Sequence, residues 1–62
     1  MKYELIYNND VVFESNHYNA CIGQAKFFYR RKGMNQHRYM IREHINGCIT
    51  NHDVNTEILK ED

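Results

Sequence analysis

The order strand, strand, helix, strand, strand is the reading this sequence supports. It predicts an α+β fold, ββαββ, with one amphipathic helix packed on a four-stranded sheet. Three observations carry that prediction. Large apolar residues alternate with polar ones over 3–7 and again over 39–45. Apolar positions recur at helical spacing from Tyr18 to Tyr29. Asn-rich or Asn-Gly stretches follow both alternating segments, where hairpin turns belong.

The first strand is set by Tyr3, Leu5 and Tyr7 on one side and Lys2 and Glu4 on the other. Asn8-Asn9-Asp10 is expected to turn the chain, since these residues tolerate left-handed backbone. Val11-Val12-Phe13-Glu14 returns as the second strand. A three-residue loop would set Tyr7 opposite Val11 and Leu5 opposite Phe13, which collects the large side chains on one face.

Ser15 or Asn16 then offers a side-chain oxygen to cap a helix. Tyr18, Cys21, Ile22, Ala25, Phe28 and Tyr29 form its apolar stripe, and Asn19, Gln24, Lys26, Arg30 and Arg31 lie opposite. Gly23 weakens the helix by roughly 1 kcal/mol against alanine and leaves room for close approach to the sheet. Phe27 flanks the stripe, as boundary packing or as an exposed anchor. The basic residues at the helix end complement its dipole, and Gly33 terminates it.

The third strand, Arg38 to Ile45, points Tyr39, Ile41 and Ile45 one way and Arg38, Met40, Arg42 and His44 the other. Asn46-Gly47 predicts a type I′ hairpin that faces Ile45 with Cys48 and His44 with Ile49. The weak apolar pattern of Cys48 to His52 marks an edge strand or a shifted register. Asn55 to Leu59 reads as a short helix or strand, and Lys60-Glu61-Asp62 is expected to fray. The order resembles that of β-grasp domains such as ubiquitin and the immunoglobulin-binding domains of protein G. The resemblance rests on element order and on the opening MKYELIYN. It implies an arrangement of elements and carries no function.

A chain of 62 residues makes one domain near the size at which a lone core suffices, so a homodimer fits its energetics. No apolar run approaches the ~20 residues of a membrane span, and the first residues lack the apolar block of a signal peptide. The expected location is therefore the cytoplasm. Cys21 and Cys48 accordingly read as reduced thiols. Asn, Ile, Tyr and Lys, all with AT-rich codons, supply 23 of the 62 residues. With so short a chain, that bias points to a bacteriophage or mobile element, and so to a host cytoplasm.

Charge is segregated along the chain. From Ser15 through Arg42 there is no acidic residue and there are six basic ones, while the flanking segments carry −2 and −4. The candidate partner-binding set is Phe27, Arg30, Arg31, Lys32, Arg38, Tyr39 and Arg42. Arginine and tyrosine are the residues that anchor protein interfaces. They also grip phosphates and stack on bases. A third reading is a solvated helix end beside an arginine-rich strand face that pairs with the acidic termini.

His17, Cys21, His44, Cys48 and His52 recur at four-residue spacing, which is compatible with metal ligation on a helix. Cys21 lies on the core stripe, however, and the Asn46-Gly47 turn separates His44 from Cys48, so no metal or cofactor is expected. No catalytic constellation emerges either. The expectation is a non-catalytic regulatory or inhibitory module that docks its basic aromatic patch on an acidic host protein. The alternative is a nucleic-acid-binding module using the same residues. Neutral net charge weighs against the latter.

Overall fold

The computed structural model describes residues 1–60 and has the predicted α+β architecture. The elements are β1 (Lys2–Tyr7), β2 (Asp10–Ser15), α1 (Tyr18–Arg31), β3 (Tyr39–Ile45), β4 (Cys48–Asp53) and α2 (Asn55–Leu59). The segment after β4 is thus a helix. The fraying expected of Glu61 and Asp62 lies outside the described residues.

The sheet order is β2-β1-β3-β4, with every neighbouring pair antiparallel. β2 and β3 therefore run parallel with β1 between them, and α1 is the crossover that joins them. The β-grasp resemblance extends to element order and stops there. A β-grasp sheet puts its last strand at the centre, parallel to the first, whereas β4 here lies at an edge.

Alternation decides which face is covered. Tyr3 and Leu5 of β1 and Tyr39 and Ile41 of β3 form the buried cluster with Cys21 and Ala25 of α1, Val54, and Ile58 of α2. Tyr18, Ile22, Phe28 and Tyr29 pack around it, so the whole predicted helix stripe faces the sheet. The Cys21 thiol donates to the Tyr3 carbonyl at 3.7 Å, and burial pushes its pKa up. Such a thiol is inert. Gly23 has nothing within 4 Å of where a Cβ would stand, so it does not mediate close approach to the sheet.

Both hairpins close with two-residue turns of positive φ, Asn8-Asn9 (53° and 66°) and Asn46-Gly47 (50° and 80°). The second matches the predicted register, with Ile45 opposite Cys48 and His44 opposite Ile49. The first is one residue shorter than expected. Tyr7 faces Asp10 rather than Val11, and an extra residue at Val12 restores the Leu5–Phe13 pair. Asn9 followed by a pairing Asp10 satisfies the type I′ geometry, and a β-bulge absorbs the difference.

The helix start also differs. His17 occupies the N-cap without a side-chain bond, and Ser15 acts one step earlier by accepting from the His17 N–H at 3.1 Å. At the other end Gly33 has φ +67°, and the Lys32 and Met34 N–H groups both return to the Phe28 carbonyl. Gly33 terminates α1 as predicted.

Candidate interaction surface

The stretch from Phe27 to Arg42 leaves the helix layer and re-enters as a strand of the sheet, so its cations do not form one patch. Phe27, Arg30, Arg31 and Lys32 stay on the helix layer. Arg38 and Arg42 project from the sheet face opposite the helices. Tyr39, between them in sequence, is fully buried. Tyr39, expected at the contact surface, presents nothing to a partner, because alternation on β3 turns its ring into the core. Its hydroxyl donates to the Met34 carbonyl at 2.5 Å, and its ring lies 4.7 Å from that of Tyr7.

The helix-end group is compact because residues three and four apart share a helix face, which sets Phe27 beside Arg30 and Arg31. Phe27 is 44% exposed, so it is a surface aromatic and not boundary packing. The Lys32 ammonium stands 5.7 Å from the centre of the Phe27 ring, within cation–π range. Arg30 is tied down, its guanidinium donating to the Lys60 carbonyl just beyond α2 at 3.2 Å. Arg31 and Lys32 are exposed at the helix C-terminus, where the dipole favours positive charge.

The sheet-face arginines stand differently. Arg38 donates twice to Asp53 Oδ2, at 3.2 and 2.8 Å. Together with the Asn55 backbone N–H, the larger influence, it holds the Asp53 carboxyl below its ordinary pKa. Arg42 lies 3.6 Å from Glu4, directly across the β1–β3 ladder. His44 approaches the same carboxylate at 2.6 Å and is the main reason the Glu4 pKa is lowered. The acidic ends of the chain thus fold back on part of the basic middle.

The uncovered sheet face also carries apolar residues outside the predicted set. Val11, Ile6 and Met40 form a row across β2, β1 and β3; Val11 and Met40 are exposed and Ile6 is nearly buried. Ile6 and Met40 join Asn8, Asn9, Arg38 and Asp53 in lining a hollow of about 400 Å³. The outward alternation of Met40 was a visible signal for this row. The contribution of Val11 was hidden by the bulge.

The histidine–cysteine periodicity assembles nothing. Cys21 is buried, Cys48 is exposed, and no group of three metal-ligating side chains occurs among the described residues. His52 is paired with Glu43 at 3.0 Å and packs edge-on against Tyr18. No described helix is long and apolar enough to cross a membrane. The fold and these surfaces define a small α+β domain with a basic aromatic helix end and an uncovered sheet face. No protein-family model, curated protein or solved structure matches the chain.

Proposed function

We propose that the protein is a non-catalytic regulatory or inhibitory binding module of phage or mobile-element type. It acts in the host cytoplasm by docking on a host protein with an acidic surface and occluding it. The contact surface is the helix end, with Phe27 as apolar anchor and Arg30, Arg31 and Lys32 around it. The observation that carries this reading is the exposed Phe27 ring with the Lys32 ammonium over it at a helix C-terminus. An aromatic ring set among cations matches the residue types that dominate interface hot spots. Arg38 and Arg42, matched to Asp53 and Glu4 on the opposite sheet face, lie outside this surface.

A protein partner is favoured over nucleic acid by the placement of the aromatics. Tyr3 and Tyr39 are buried in the helix-side core and Tyr7 packs against it, so the outer sheet face presents no tyrosine on which bases could stack. The test is capture from bacterial lysate on the immobilised chain, with and without nuclease. The double variant Arg31→Glu/Lys32→Glu is expected to lose the captured partner, and Phe27→Ala to weaken capture. Unchanged capture by both variants removes the helix end as the site. Capture abolished by nuclease and declining steeply with salt establishes the nucleic-acid alternative instead.

A further inference from the structure

We propose that β4 is the contact strand of a symmetric homodimer in which two copies pair edge to edge into one eight-stranded antiparallel sheet. This inference is independent of the docking function of the helix end.

The two edges of the sheet are unequal. β2 carries Asp10 and Glu14 and is interrupted by the bulge at Val12, and each of these features discourages a further strand. β4 has none of them over Cys48 to His52: no charge, no proline, and an unbroken six-pair ladder to β3. α1 reaches it at His52, against which Tyr18 packs, and Cys48 to Asn51 are left exposed. Five of its six residues are exposed, including Ile49 at 61%.

The hairpin turn shows which backbone groups are free. A two-residue type I′ turn makes Ile45 and Cys48 a hydrogen-bonded pair, and bonded pairs then recur at every second position. Cys48, Thr50 and His52 therefore bond to β3. Ile49 and Asn51 direct their N–H and C=O groups outward. An antiparallel copy related by a two-fold axis through Thr50 meets that edge in register. Ile49 of each copy pairs with Asn51 of the other, giving four backbone hydrogen bonds, and the two Thr50 side chains face each other. No like charges meet, which is the condition edge pairing needs. The contact is isologous, as two-fold dimers require. A core as small as this one gains from the added burial.

The test measures mass by sedimentation from about 10 µM to about 1 mM, a range suited to an interface at the small end of the known sizes. The expected result is a rise from 7.5 kDa towards twice that value. Amide exchange at the upper end should show new protection at Ile49 and Asn51 and none at Glu14 on the opposite edge. Asn51→Pro removes an outward N–H without touching the β3 ladder. It is expected to weaken self-association by at least about tenfold, since two inter-copy hydrogen bonds are lost. Ile49→Lys places a charge on the edge and should act in the same direction, with unchanged far-ultraviolet circular dichroism in both variants. A constant monomer mass overturns the proposal. So does a dimer whose protection falls on β2, or one that both folded variants leave intact.

Discussion

Tyr39→Phe separates a structural role from an interface role at the residue where sequence and structure disagree most. The ring stays, and only the hydroxyl that donates to the Met34 carbonyl is lost. Losing that bond in a partly buried setting costs about 1–2 kcal/mol. A domain of 62 residues is stable by roughly 3–9 kcal/mol, so the loss is easily measured. The same hydroxyl has a pH signature. Burial, and then the neighbouring Tyr7, push its pKa from 10.0 to about 12. A pKa raised in the folded state contributes stability that is complete below 10.0 and is lost as pH rises towards about 12. By about pH 11 the wild type should have lost about 1 kcal/mol from this residue, and the phenylalanine variant none. Urea unfolding of both proteins between about pH 7 and about pH 11 tests this. The variant should start less stable, and the gap should narrow or close at the alkaline end. Equal stability near neutrality, or a gap independent of pH, refutes the buried-phenol account.

Other perturbations probe other levels of the structure. Gly23→Ala should raise stability by roughly 0.5–1 kcal/mol in thermal or urea unfolding, since the site is open and helical. Gly47→Ala should lower it by at least about 1 kcal/mol, because the residue holds φ +80° in the turn. Glu4→Gln should destabilise the protein at neutral pH. The Glu4 carboxyl is lowered from 4.5, chiefly by His44, so its contribution is present above that value and fades as pH falls through the folded pKa. Acid unfolding of wild type and variant should therefore converge at low pH. A difference that persists there contradicts the pairing.

The fold was legible where local pattern and tertiary demand coincide. The alternation of Tyr3, Leu5 and Tyr7, the stripe from Tyr18 to Tyr29, and Asn46-Gly47 each define an element with little help from the rest of the chain. The first turn was harder because Asn8, Asn9 and Asp10 all suit turns. Whether Asp10 pairs or loops depends on a bulge that only the assembled sheet requires. The candidate site was the least legible part. Adjacency in sequence from Phe27 to Arg42 does not survive a chain that ends a helix on one layer and re-enters as a central strand of another. The partnership of Arg42 with Glu4 follows from the β1–β3 pairing, which joins residues 38 positions apart and leaves no local trace.

The bulge at Val12 also bears on how this chain tolerates changes in length. Elsewhere in the sheet, removing one residue from a strand would turn every later side chain in it to the wrong face. Val12 is the extra residue between two pairs already in phase, Ile6–Val11 and Leu5–Phe13. Deleting it would leave Val11 facing outward, Phe13 facing the core and the Asn8-Asn9 turn undisturbed, at the loss of the packing Val12 gives the core. Among the described strands, this is the position where a single-residue deletion is compatible with the existing register.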